Sequence, residues 1–181
     1  MNKVEPIRDI KKIEMMKNEL FKLGFRDYLL FVMGINTGLR ISDLLRLKVI
    51  DVKDKTHIVI KEKKTGKIKK ALINSKLKSD IDRYIINIPD LEYLSKSQKC
   101  DNKAISRVQA YRILNKAAVI VGLDSIGTHS LRKSFGYWHY QRNKDVALLQ
   151  ELFNHSAPSV TLKYIGINQD IMDQSLENFY L

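Results

Sequence analysis

The chain has 181 residues, is 44% hydrophobic and carries a formal charge of +12, from 32 Lys and Arg against 20 Asp and Glu. That length suits one well-buried core and is short for two domains, and the basic excess points to a polyanion, either nucleic acid or an acidic membrane surface. A single cysteine, Cys100, excludes an internal disulfide and a multi-cysteine zinc site, and no apolar run reaches the ~18 residues of a membrane span.

Ile10, Ile13, Met16, Leu20 and Leu23 recur at steps of three and four, so the spacing predicts a helix over 7–23 that Gly24 is placed to stop. Residues 28–35 are almost continuously apolar and read as a buried helix leaving through Asn36, Thr37 and Gly38. Ser42 then stands where it would cap a short helix through Leu47. The texture changes at His57-Ile58-Val59-Ile60, which favours a strand. Thr65 and Gly66 supply a turn and 68–73 alternate, which together predict a β-hairpin over about 56–73. Helix returns over 76–88 before Pro89, and 95–103 reads as a polar loop. Ser106 with Gln109 makes a capping box for a helix ending near Val121, where Gly122 suits a left-handed stop. Further helices are expected over 130–142, 146–153 and 159–164, with a tail from about Asn168. The expected fold class is α+β and predominantly helical, with one small antiparallel sheet packed on a helical core in a single domain, 1–181.

Charge is uneven along this plan. Residues 46–78 hold 12 basic side chains against three acidic ones, whereas 165–181 hold three acidic and no basic ones. The bland reading of such a run is a solvated face. The start, Met1 to Pro6, lacks the apolar segment of a signal peptide, so a soluble protein of a reducing bacterial cytoplasm is expected.

A sparse polar set carries the candidate chemistry. Arg40 lies within 37–43, Thr-Gly-Leu-Arg-Ile-Ser-Asp, and His129 and Arg132 form an H-x-x-R unit. His155 follows that arginine by 23 positions, Tyr164 lies nine further on, and Lys64 sits in Lys63-Lys64-Thr65-Gly66-Lys67. Guanidinium forks match phosphate oxygens and stay charged, which makes Arg40 and Arg132 suited to grip a phosphodiester. Breaking that bond requires the barrier to fall by ~20 kcal/mol, and one preorganised donor supplies ~3 to 4, so several groups must converge. Taken singly, each residue has an ordinary reading: a helix-start histidine capping backbone, an exposed arginine, a tyrosine packing its ring.

In order and spacing the set resembles the tyrosine recombinases, the phage-integrase family of DNA strand-exchange enzymes, from about Arg26 to Ile167. Residues 38–52 resemble the family's first conserved box, and 129–164 its second, including Gln150-Glu151-Leu152-Phe153-Asn154-His155-Ser156. The resemblance implies that Arg40 and Arg132 bind the scissile phosphate and that Tyr164 attacks it to form a 3′-phosphotyrosyl link. It assigns proton acceptance from the phenol to His129, hydrogen bonding to a phosphate oxygen to His155, and protonation of the departing 5′ oxygen to Lys64. Asp43 would orient Arg40 or His129, and Lys61, Lys63, Lys67, Lys69, Lys70 and Lys133 would face the DNA. Because the hairpin lysines crowd one turn, their register leaves the general acid open among them.

No metal and no cofactor are expected, since the covalent link conserves the bond energy. The implied partner is double-stranded DNA, bound as a tetramer through the tail at 165–181, the protein being a monomer in isolation. The tail's apolar face comprises Ile167, Ile171, Met172, Leu176, Phe179 and Tyr180 and would dock on a neighbouring protomer or on its own core. Two departures stand out. Phe153-Asn154 replaces the family's frequent Leu-Gly, and only 39 residues precede Arg40, so the N-terminal core-binding domain of many relatives is expected to be absent. Two other readings stay open: a type IB topoisomerase with the same chemistry, and a catalytically silent DNA-binding module. A metal-dependent nuclease would need an acidic constellation that the sequence does not show.

Overall fold

The computed structural model describes residues 4–62, 66–99, 101–124, 126–167, 176–177 and 179–180. The expected α+β architecture is observed, mostly helical with one two-stranded antiparallel sheet.

Helix α1 (Ile10–Leu23) begins three residues later than its apolar spacing predicts, because Asp9 caps it by accepting from the Lys11 amide. Ile7 instead belongs to an extended lead. Its side chain is buried, its amide donates to Ser134 Oγ and its carbonyl accepts from Trp138 Nε1. Gly24 ends α1 and opens α2 (Phe25–Thr37), the central helix, which packs against α1, α4 and α6. Gly38 closes α2 in the left-handed region at φ 62°, and a Cβ there would lie 2.5 Å from the Phe135 ring, so both the turn and the close approach require glycine.

The short α3 (Ile41–Leu44) departs from expectation at its start. Arg40, in extended conformation, occupies the cap position, and Ser42 lies inside the helix with no capping role. A single 3₁₀ turn at Val49–Asp51 leads to β1 (His57–Lys61), which pairs antiparallel with β2 (Ile68–Leu72), matching Ile58 to Ala71 and Ile60 to Lys69. Alternation turns Ile58 and Ala71 inward, and Lys69 falls in phase with them. Next come α4 (Ser75–Ile85, capped by Asn74) and α5 (Arg107–Ile120), whose Ser106 cap accepts from the Gln109 amide as the sequence predicts.

The chain ends, among described elements, in α6 (Thr128–Asn143), α7 (Val146–Phe153) and α8 (Pro158–Ile165). Two apolar clusters result. The larger gathers α1 to α5, the sheet and Leu131, while Leu149, Phe153, Ile165 and Ile167 form a second beneath α7 and α8. Helix α6 spans both. Gly136 lets α7 and α8 close on it, since a Cβ there would meet Ile165 at 2.6 Å and Phe153 at 2.7 Å. None of the described helices is long and apolar enough to cross a membrane.

Candidate active site

Arg132 is where the two halves of the molecule meet. Its side chain is buried, with Nη1 donating to the Gly38 carbonyl at 2.5 Å and Nη2 donating to the Phe153 carbonyl at 3.0 Å. The guanidinium also lies 4.3 Å from the centre of the Phe153 ring. One side chain therefore ties the turn before Arg40 to the end of α7. Burial lowers its pKa, yet an arginine stays protonated.

Arg40 is held differently. Its Nη1 forms a 2.5 Å ion pair with Glu62 Oε1, and the Glu62 side chain is only 1% exposed against 18% for Arg40. A buried carboxylate left without a cation would be costly, so this pair fixes the guanidinium's direction. Asp43, expected to orient Arg40 or His129, lies buried 3.8 Å from Arg46. Glu62 was missed by the sequence reading, where it stood as one acid in a lysine-rich stretch. Its signal was placement one step past β1, two residues on from the half-buried Ile60.

His155 and Tyr164 come together across the α7–α8 turn. Their rings meet edge to face at 5.1 Å, and both pack on Phe153, at 5.2 and 5.6 Å. Asn154 makes this possible, ending α7 in the left-handed region at φ 52°, ψ 43°. Asparagine tolerates that conformation, so the replacement of Leu-Gly by Phe153-Asn154 keeps the turn and adds a ring as the site's floor. His155 Nδ1 lies 3.0 Å from the buried Thr161 hydroxyl, another residue the sequence reading did not single out. Burial, then Arg132, Arg40 and Lys69, lower the His155 pKa, which keeps the imidazole neutral at pH 7.

The Tyr164 phenol lies close to Arg132. Burial raises its pKa, and Arg132 and Arg40 only partly offset this, so the free protein holds a protonated phenol that must pass its proton to an acceptor. His129 is exposed in the first turn of α6, lining an open groove of about 960 Å³ with Arg40, Arg46, Lys103, Arg107 and Tyr111. The cations lining it give this groove a positive potential suited to a polyanion. Arg107 and Lys103 were not anticipated.

The lysines divide. Lys61, Lys67 and Lys70 are exposed as expected of a basic face, whereas Lys63 and Lys64 lie outside the described residues. Lys133 is buried with its ammonium 5.3 Å from the Tyr164 ring centre. Lys69, expected at the DNA, points the other way: its side chain is buried and Nζ donates to the Leu152 carbonyl at 2.7 Å. The strand's alternation is the reason. Among the described residues no group of three or more His, Cys, Asp or Glu is arranged to hold a metal.

Arg40, Arg132, a neutral His155 and a protonated Tyr164 lie near one another in a helical body with a small sheet, an arrangement able to grip a phosphate beside a phenol. Residues 8–170 match the phage integrase family, and the chain belongs to that family. It is 52% identical over 170 residues to the probable integrase/recombinase YoeC of Bacillus subtilis (strain 168), covering 94% of this chain and 93% of the relative. It is 28% identical to tyrosine recombinase XerA of Pyrococcus horikoshii, over 93% of this chain and 58% of that protein, so it spans little more than half of that relative's length. In fold it is similar to a crystal structure of XerA recombinase, with a TM-score of 0.77 at 15% identity, covering 99% of this chain and 66% of that one. A lambda integrase tetramer bound to a Holliday junction gives a TM-score of 0.71 at 16% identity, over 91% and 49%.

Proposed function

We propose that the chain is the catalytic domain of a site-specific tyrosine recombinase that cleaves and rejoins double-stranded DNA. The observation that carries this reading is the nearness of Tyr164 to His155, Arg132 and Arg40, with Arg40 also lining the cationic groove. Tyr164 Oη attacks the scissile phosphorus. The new Oη–P bond forms as the P–O5′ bond breaks, leaving a 3′-phosphotyrosyl link and a free 5′-hydroxyl. Arg40, Arg132 and His155 stabilise the charge that develops on the non-bridging oxygens. His129 takes the phenolic proton, and Lys64 delivers one to the 5′ oxygen. Attack by a 5′-hydroxyl of another strand reverses these steps. Because the phosphotyrosyl link conserves the bond energy, the cycle consumes neither metal nor nucleotide.

The exposed Lys61, Lys67 and Lys70 extend the basic face along the DNA. The tail supports assembly on DNA: Ile167 is buried in its own second cluster, while Leu176, Phe179 and Tyr180 are exposed. Ile171 and Met172 lie outside the described residues. As the lambda integrase is seen as a tetramer on a Holliday junction, we assign the tail to docking on a neighbouring protomer in a tetramer. A recombinase acting on DNA would work in the cytoplasm at the nucleoid.

Nicked duplexes spanning the junctions of the host element, incubated with protein in EDTA, test the reading. A DNA-shifted covalent band that Tyr164→Phe abolishes is the expected result. A band that survives Tyr164→Phe would overturn the nucleophile, and one requiring magnesium would overturn the mechanism.

A further inference from the structure

We propose that Lys69 is a positioning residue of this site, an internal brace from β2 that fixes the end of α7 and with it His155 and Tyr164. The inference rests on the recombinase reading for its catalytic consequence, and on geometry alone for the brace.

A helix leaves its last four carbonyls without intrahelical partners, and its C-terminal end attracts cations. At the end of α7 two consecutive carbonyls are taken by side chains from other elements: Leu152 O by Lys69 Nζ at 2.7 Å and Phe153 O by Arg132 Nη2 at 3.0 Å. Both cations also approach the Phe153 ring, at 6.0 and 4.3 Å. His155 begins two residues beyond, its amide donating back to the Gln150 carbonyl and its ring resting on Phe153. The apolar residues beneath α7 and α8 form a cluster separate from the main core. Lys69 thus joins the corner that carries the nucleophile to the sheet.

Lys69 serves no solvated role that would explain its type. It is 8% exposed, pairs with Ile60 on the inward face, and its surroundings include Arg40, Asp43, Glu62 and Arg132 as well as His155. Desolvation, with Arg132 adding to it, depresses its pKa to about 8, so a lysine is retained here at a cost to the charged form. An apolar residue would fill the space without that cost and would leave Leu152 O without its donor. Arg132 grips Phe153 O and, in the proposed reaction, the phosphate. Lys69 is the donor left to hold the helix end when that arginine engages DNA.

Hydrogen exchange followed by mass spectrometry on the whole chain tests the brace without DNA. Lys69→Met is expected to speed exchange in peptides from 146–165 by roughly tenfold or more, with peptides from α5 unchanged, and Lys69→Arg to restore protection. Unchanged exchange over 146–165, or equal acceleration in α5, overturns the proposal. If Lys69→Met does not fold, Lys69→Gln replaces it, keeping an N–H donor while losing charge and reach, with the same two outcomes.

Cleavage then reports the consequence. Misplacement by about 1 Å costs roughly 10²-fold in rate, so Lys69→Met should slow adduct formation by ten- to a hundredfold. The loss should be equal on a normal nicked duplex and on one with sulfur at the bridging 5′ position, whose leaving group needs no proton. Rescue by the sulfur substrate would make Lys69 a proton donor and overturn a positioning role. Failure of wild-type protein to form any adduct would count against the recombinase reading, while the exchange result still decides the brace.

Discussion

The main core buries whole faces of α1, α2, α4 and α5 around Leu20, Phe31 and Leu114, whereas the corner made by α7 and α8 buries Leu149, Phe153, Ile165 and Ile167 and leans on α6. The first region is held by apolar area, a diffuse force that tolerates small displacements. The second adds directional bonds from Arg132 and Lys69 to backbone carbonyls, each charged donor worth ~1.5 to 3 kcal/mol. Stability and chemistry are therefore separable. The body sets whether the chain folds, and the seam sets whether His155 and Tyr164 face Arg40.

Removing Arg132 should give the largest effect on that contrast. Arg132→Met keeps the bulk, loses both carbonyl bonds and the phosphate grip, and should cut single-turnover cleavage by ~10³-fold or more. A loss under tenfold would show that the seam does not govern the site. In the body the converse holds. Leu114 is fully buried, so Leu114→Ala should cost ~2 to 5 kcal/mol in denaturant unfolding while leaving the rate of the remaining folded protein unchanged. A rate defect matching that of the seam variant would erase the distinction.

The pH dependence sharpens it further. Lys69 has a folded pKa of about 8 against an ordinary 10.5, so between those values the unfolded chain binds more protons than the folded one. The cost of burying the charge is fully present below pH 8 and is relieved as pH rises to 10.5. At 1.36 kcal/mol per unit this amounts to at most ~3 kcal/mol. Stability of the wild type relative to Lys69→Met should rise across that window, and a flat difference would mean that the ammonium is better solvated than its burial implies.

Much of this plan was legible in the sequence, for physical reasons that also mark where legibility ended. Apolar spacing located α1 and α2, Ser106 with Gln109 marked the start of α5, and the texture at 57–60 located the sheet. Local signals of this kind depend on neighbours in the chain. Glu62 was not legible as a site residue, and Lys69 was read as facing the DNA, because the meaning of each depends on what faces the sheet, α7 for Lys69 and the turn before α3 for Glu62. Composition classed both with a solvated basic stretch, although strand alternation already placed Lys69 in phase with Ala71. Ser42 misled for a related reason: a good capping residue was read without knowing that Arg40 already stood at the cap in extended conformation.

The smallest effect concerns the hinge between the two regions' catalytic groups. Asn154 holds φ 52° with its amide bonded back to the Glu151 carbonyl, a conformation that costs a branched or alanine side chain about 1 kcal/mol relative to glycine or asparagine. Asn154→Gly should therefore preserve cleavage, since the turn keeps its shape. Asn154→Ala should lose ~1 kcal/mol of stability by thermal unfolding and slow cleavage severalfold through His155. If alanine were silent in both measurements, the turn would be held by the Gln150 side chain, whose amide donates to the His155 carbonyl at 3.1 Å, and the backbone preference of residue 154 would be irrelevant to the site.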